Sequence, residues 1–234
     1  MKKILIFTLL LFSLFGNAQF RKNVFSKNPI INLENWDKQK IYWGFYLGFN
    51  DYDFKFDYKT VGPDIQVIGT TGFDVGLISD VRLNQTFHLR FEPGLSFATR
   101  DLYYPNLTLE KDYLRQVKST YINFPLLLKF SALRTGNVRP YLLGGFSATL
   151  NLANNASVAD DNLQGVFRSK PWTTNYELGF GVDLYLEYFK FSPSIRGVFG
   201  INDELIRDAD PNSPWTSNIA SMKTRGIFVN FAFH

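Results

Sequence analysis

The 234-residue sequence contains no cysteine, two histidines and two methionines. Without a thiol it has no disulfide framework, thiolate metal site, cysteine nucleophile or lipidated N-terminal cysteine. Two histidines leave little for a transition-metal centre, and neither a metal nor a cofactor is expected. Beyond the N-terminus no stretch approaches 18 continuous apolar residues, the length that marks a membrane helix. Long blocks of one charge are missing too. The net charge is +4, and Lys2 and Lys3 account for two of those charges. That excludes the concentrated basic face that nucleic-acid binding needs, so no nucleic-acid partner is expected. What the chain has in quantity is Phe (24), Tyr (12) and Gly (17), a mixture that favours sheets over helical bundles.

Lys2 and Lys3 precede the apolar run 4–15, which the small residues Gly16 and Ala18 follow. This is the layout of a cleavable export signal. The run is too short to cross a ~30 Å hydrocarbon core as a helix. The expected organisation is therefore a signal peptide over 1–18, a periplasmic leader over 19–40 and a barrel over 41–234.

Period-two alternation carries the fold assignment. In residues 41–50, Ile41, Trp43, Phe45, Leu47 and Phe49 share one face, opposite Tyr42, Gly44, Tyr46, Gly48 and Asn50. Similar alternation runs through 71–84, 87–100, 119–130, 139–152, 174–186, 188–200 and 225–234, giving eight strands. Connections near 84–85, 134–137 and 187–188 are hairpin-sized. Those near 52–70, 101–118, 153–173 and 201–224 are long and polar. Even strand number, with short turns at one end and long loops at the other, is the plan of a bacterial outer-membrane barrel. The fold class predicted is all-β: an eight-stranded antiparallel transmembrane barrel with both termini periplasmic and four long extracellular loops.

A soluble barrel also alternates, but with its charges outside. Three features favour the membrane version. The apolar faces are almost purely Leu, Phe, Val and Ile over lengths sufficient for the ~9–11 residues of a tilted spanning strand. The polar faces are rich in Gly, Ser and Asn, which suit a crowded eight-stranded interior. Aromatics such as Trp43, Tyr103, Tyr104, Trp172 and Tyr188 gather near strand ends, as in interfacial girdles.

The inward faces carry Asp74, Asp80, Arg82, Arg90, Glu92, Arg100, Lys129, Arg139, Glu177, Asp183, Lys190 and Arg196. Acids and bases in so narrow a lumen are expected to pair with each other, because an unpaired buried charge is costly. The reading is a plugged barrel, neither a porin nor an enzyme. His88, Glu92 and Ser96 follow one another at intervals of four along a strand. Each interval is about 13 Å at ~3.3 Å per residue, too far for direct hydrogen bonds. Asp51, Asp53 and Asp57 lack the glycine turn and distal Glu of a calcium loop.

The final strand places Thr224, Gly226, Val229 and Phe231 in the loose pattern read by barrel-insertion machinery, a transient partner during assembly. Physically it is an edge strand with an aromatic face, able to pair by strand addition. The leader is polar but carries Ile30, Ile31, Leu33 and Trp36, and it reads either as a disordered periplasmic leader or as a periplasmic plug or partner-docking segment.

Asn32-Leu33, Trp36-Asp37, the block 41–50 and Tyr52-Asp53-Phe54 resemble the opening of the PorT (also SprT) family. Tyr121-Ile122-Asn123-Phe124-Pro125-Leu126 and Arg139-Pro140-Tyr141 are similar more broadly to outer-membrane barrels of the Bacteroidetes lineage. The resemblance implies a non-enzymatic component of type IX protein secretion, and of gliding motility in cells that glide. The partners it implies are outer-membrane lipid and other secretion-system components. It carries over no catalytic or binding residues. The alternatives are a generic small barrel for envelope stability or small-solute passage and, more remotely, a lipid-modifying barrel enzyme.

Overall fold

The computed structural model describes residues 30–234. Its strands are β1 (Ile41–Tyr58), β2 (Gln66–Arg82), β3 (Phe87–Phe91), β4 (Gly94–Tyr103), β5 (Leu114–Ser131), β6 (Val138–Asn151), β7 (Trp172–Tyr185), β8 (Lys190–Gly200) and β9 (Ile219–Phe233). Every pairing is antiparallel, and β1 bonds both β2 and β9, so the sheet closes on itself. Closure removes the exposed edges of an open sheet.

β3 and β4 form a single stave. Ser79 pairs with Phe91 and Gly76 with Gly94, and on the other side Leu126 and Asn123 meet the same two residues, so no register is lost across the gap. The gap is Glu92-Pro93, where proline has no N–H to give the ladder. Its carbonyl still accepts from the Leu77 amide at 2.9 Å. Nine strands therefore make eight staves, the expected number.

The inside and outside of the barrel are inverted relative to a water-soluble protein. Phe45, Leu47, Phe49, Leu126, Leu128, Phe146, Leu178, Phe180, Ile195 and Ile227 point outward and are exposed. Asp74, Asp80, Arg90, Glu92, Lys129, Asp183 and Arg196 point inward and are buried. An apolar belt around a polar interior fits a lipid solvent and no other. Among the described residues no helix is long and apolar enough to cross a membrane.

The staves are longer than the alternation of apolar outer faces suggested. β1 and β5 have 18 residues and β2 has 17, whereas β6, β7 and β8 have 14, 14 and 11. The first long connection accordingly shrinks from 52–70 to 59–65. Period two continues past residue 50, but its sign flips. Trp43 to Phe49 on the outer face give way to Asp51, Asp53, Lys55 and Asp57, while Tyr52 and Phe54 turn inward and are buried. β4 (Thr99 and Asp101 outside, Leu102 inside), β5 (Gln116 and Lys118 outside, Val117 inside) and β9 (Lys223 and Arg225 outside, Met222 inside) change in the same way. Water replaces lipid as the outer solvent at that level, so greasy side chains move in and charges move out. A strand of ~9–11 residues spans the bilayer, and the remainder of each long stave stands above it.

Gly76 and Gly94 make room for one aromatic ring in the lumen. A Cβ on Gly76 would sit 2.5 Å from Tyr46 Cε1 and from the Pro93 carbonyl, and one on Gly94 would collide with Tyr46 Oη and lie 2.7 Å from the Val75 carbonyl. Gly94→Leu is expected to destabilise the barrel by about 1–3 kcal/mol through overpacking. A lower urea midpoint in detergent micelles would show it; an unchanged midpoint would mean that both Tyr46 and the Val75 carbonyl give way at no cost.

Candidate functional site

Three regions can carry function: the lumen, the turn end that segment 30–40 covers, and the loop end.

In the lumen Asp80 accepts from Arg90 Nε at 3.1 Å and Nη2 at 3.0 Å, and its other oxygen meets His88 Nδ1 at 2.8 Å. Arg90 Nη1 donates to Glu92 Oε1 at 3.1 Å, and Arg196 Nη1 donates to Glu92 Oε2 at 2.7 Å. Arg196 Nε then lies 3.1 Å from Glu177 Oε2. A second cluster joins Lys129 Nζ to Asp183 Oδ2 at 2.6 Å, with the Ser192 hydroxyl on the other carboxylate oxygen at 2.7 Å. Arg90 and Glu92 are neighbours two residues apart on one stave, whereas Arg196 comes from β8, so only barrel closure brings it to Glu92.

The remaining expected lumen charges behave differently. Asn50 donates to Asp74 at 2.8 Å. Arg100 lies 3.8 Å from the centre of the Phe54 ring and donates to Ser119 Oγ at 2.9 Å and to the Tyr121 hydroxyl. Lys190 Nζ stands 5.2 Å from the centre of the Tyr42 ring. Arg82 and Arg139 sit at the turn end and engage Asp37 of the leader. His88, Glu92 and Ser96 are not assembled as a triad: His88 faces Asp80, Glu92 faces two arginines, and Ser96 accepts from Asn123 at 2.7 Å.

At the turn end Asp37 is the anchor. Its Oδ1 accepts from Tyr185 Oη at 2.6 Å and Arg139 Nη1 at 3.2 Å, and its Oδ2 from Arg134 Nη1 at 3.4 Å. Arg82 Nη1 donates to the Asp37 carbonyl at 2.5 Å. The Asn32 amide donates to Asn137 Oδ1 at 2.9 Å, and Asn137 Nδ2 to the Ile30 carbonyl at 2.7 Å. Trp36 stacks on Tyr42 with ring centres 5.9 Å apart, and Tyr42 Oη donates to the Trp36 carbonyl at 2.9 Å. Leu33 and Trp36 are thus half-buried against the barrel mouth, whereas Ile30 and Ile31 are 74% and 55% exposed. The role of Asp37 was not legible in the sequence, because its partners Arg134, Arg139 and Tyr185 are about a hundred or more residues away.

At the loop end the long connections close the barrel. Phe54, Leu102, Tyr104, Val117, Phe167, Leu205, Trp215, Ile219 and Met222 form a buried apolar cluster. Phe167 and Leu205 come from the loops 152–171 and 201–218, which fold inward over the long staves. Two aspartates stitch those loops. Asp208 accepts from the Asn162 side chain at 2.9 Å, Ser213 Oγ at 2.5 Å and Thr216 Oγ1 at 2.9 Å. Asp161 caps the turn Asn162–Gln164 and accepts from the Ala209 amide at 3.1 Å. The lumen is therefore covered at both ends and filled by side chains in the middle.

Thr224, Gly226, Val229 and Phe231 lie on β9, the closing stave. Val229 and Phe231 are on its lipid face, and Thr224 turns inward to Glu204 at 2.8 Å. The expected signal peptide lies outside the described residues.

A closed antiparallel barrel with charges inside and an apolar belt outside defines a transmembrane barrel of the outer-membrane class. Residues 17–205 match the family described as "Outer membrane protein beta-barrel domain", and the chain belongs to that family. Its place is the outer membrane, with membrane lipid around its belt. Among solved structures it is similar to OprG of Pseudomonas aeruginosa, at 12% identity over 83% of this chain and 95% of that one, with a TM-score of 0.48. It is also similar to Ail of Yersinia pestis, at 12% identity over 83% of this chain and 98% of that one, with a TM-score of 0.35. No curated protein matches the sequence.

Glu92→Gln retains the shape of the side chain but leaves Arg90 and Arg196 short of a buried countercharge. The loss should be about 3–5 kcal/mol, the range for breaking a buried pair from one side, read as the urea unfolding midpoint in micelles. In the cap, hydrogen bonds from the Ala209 and Leu163 amides hold the Asp161 carboxyl below its ordinary value. Its contribution is present above the ordinary carboxylate pKa and is lost as pH falls through the lowered one. Burial pushes Glu204, at the base of the cap, up, so acid favours its folded-state form and opposes that loss. Acidification should therefore shift the Thr224 amide resonance first, through Glu204, and the Ala209 and Leu163 amide resonances together at lower pH; unchanged Ala209 and Leu163 resonances would remove Asp161 as the stitch.

Proposed function

We propose that this protein is a non-enzymatic outer-membrane component of a protein secretion machine of the type IX kind, acting through surfaces and not as a conduit. The observation that supports it is the filled lumen: Arg90, Glu92, Arg196 and Glu177 cross it, segment 30–40 covers one mouth and an apolar cluster the other. An eight-stranded barrel of this kind has no path for a cargo protein. The secretion role itself rests on the resemblance of residues 32–54 to the PorT family, and gliding motility would follow from it in a cell that glides. The surfaces available are the outer loops and, on the periplasmic side, the anchored leader with Ile30 and Ile31 exposed.

Three measurements test this reading. The purified barrel should give no ion conductance in planar bilayers; a steady conductance would favour solute passage instead. An in-frame gene deletion should remove surface and secreted cargo from the outside and leave it in the periplasm, scored by proteomics of medium and cell fractions. Normal export in the deletion strain would reduce the assignment to a small barrel of the envelope. Asp37→Ala should release the leader from the mouth with the barrel still folded and lower export; unchanged export would separate the leader from the function.

A further inference from the structure

A notch of about 420 Å³ opens in the wall of the barrel, among β8, β9, β1 and β2. Ile227, Phe199 and Val67 supply its apolar lining, and Asp51, Asp53 and Arg225 its charges. It lies just beyond the last β1–β2 pair, Asn50 with Gly72. From there β1 stays bonded to β9 and β2 to β4, with no ladder between β1 and β2. Its size falls within the ~300–1,000 Å³ usual for small-ligand pockets. The secretion reading does not use it.

The notch straddles the level at which lipid gives way to water. On β1 the outer face runs Phe45, Leu47, Phe49 and then Asp51 and Asp53; on β9 it runs Phe231, Val229, Ile227 and then Arg225. Asp51 stands opposite Ile227, and both are exposed, as are Phe199 and Arg225. Phe199 is steadied by stacking on Tyr176, with ring centres 5.1 Å apart. The three charges are not equivalent. Asp53 Oδ2 accepts from Arg225 Nε at 2.7 Å and lies 2.5 Å from its Nη2. Among the described residues Asp51 has no hydrogen bond or ion pair, and Arg225 Nη1 has none either. A carboxylate without a countercharge is thus left in the headgroup layer, beside an apolar wall.

We propose that this notch holds a phosphoethanolamine lipid of the outer leaflet, with its amine on Asp51, its phosphate on Arg225 and an acyl chain along Ile227 and Phe199. The lining changes from apolar to charged towards the loop end, which is the orientation of a lipid in that leaflet. Its apolar half runs without a break into the belt through Val229 and Ile195. Asp53 and Arg225 cancel, so Asp51 leaves one negative charge over. That favours a headgroup with an amine over a purely anionic one, and N–H donors make the contact charge-assisted. A choline headgroup has no N–H to donate. Asp51 and Arg225 are diagonal neighbours across the β1–β9 pair, about 7–8 Å apart, so opposite charges of one headgroup can reach both. A free amine would leave Ile227 and Phe199 uncovered.

The full-length mature protein, folded in detergent, is titrated with phosphatidylethanolamine, phosphatidylcholine and phosphatidylglycerol of identical chains, and bound lipid is counted by native mass spectrometry. The ethanolamine lipid should be retained about three- to tenfold better than either of the others. Asp51→Asn alters an exposed side chain that has no partner, so the unfolding midpoint should hold while that preference disappears. Asp51→Glu retains the charge and should retain the order. Ile227→Trp fills the apolar half from the lipid face and should lower retention of all three lipids. Equal retention of the three headgroups, a preference that survives Asp51→Asn, or retention unaffected by Ile227→Trp would overturn the proposal. So would a preference for phosphatidylglycerol that appears only with added calcium, since a metal bridge would then hold the lipid.

Discussion

The Arg90–Glu92–Arg196 bridge is the interaction on which the rest of the molecule depends. Glu92 lies between two arginines that are themselves balanced by Asp80 and Glu177, all of them buried. Charges can be placed inside this protein because its outside is lipid and its backbone is fully paired around a ring. Once they are inside, each must find its counterion across the lumen, because desolvation makes an orphan costly. That requirement fills the bore and turns attention from the interior to the surfaces at its two ends.

Those ends are built by opposite means. The turn end is closed electrostatically, with one carboxylate, Asp37, shared by Arg134, Arg139 and Tyr185. The loop end is closed hydrophobically, by Phe167, Leu205 and Trp215 packing onto the inner faces of staves that have risen out of the bilayer. The difference follows from what covers each end. A short leader contributes few apolar side chains and relies on charge-assisted hydrogen bonds. Two long loops can bury a cluster of their own and hold it with the stitches of Asp161 and Asp208. The outer cap is in effect a small water-soluble core mounted on a membrane barrel.

Much of the fold was legible along the chain. Period two, the position of hairpin-sized turns and the apolar faces of 41–50 and 122–130 led to eight staves and an outward apolar belt, because a strand's neighbours alternate faces whatever it packs against. Strand length was less legible. The pattern did not stop at residue 50; it changed sign at Asp51, and a search for apolar outer faces reads that change as a loop. Looking for alternation without regard to sign would have carried β1 to Tyr58. Of the inward charges, pairing as a principle could be read, but partners could not: Glu92 and Arg196 are 104 positions apart.

The sequence by itself determined which residues face lipid and which face the lumen, since that choice is local and repeats every second residue. Only the tertiary structure decided that Arg82 and Arg139 serve the leader, that Arg100 rests against Phe54 in place of a carboxylate, and that Tyr104 is buried in the apolar cluster of the cap. Those outcomes depend on the stagger with which eight staves close and on how loops far apart in the chain meet above them, and no local pattern encodes either.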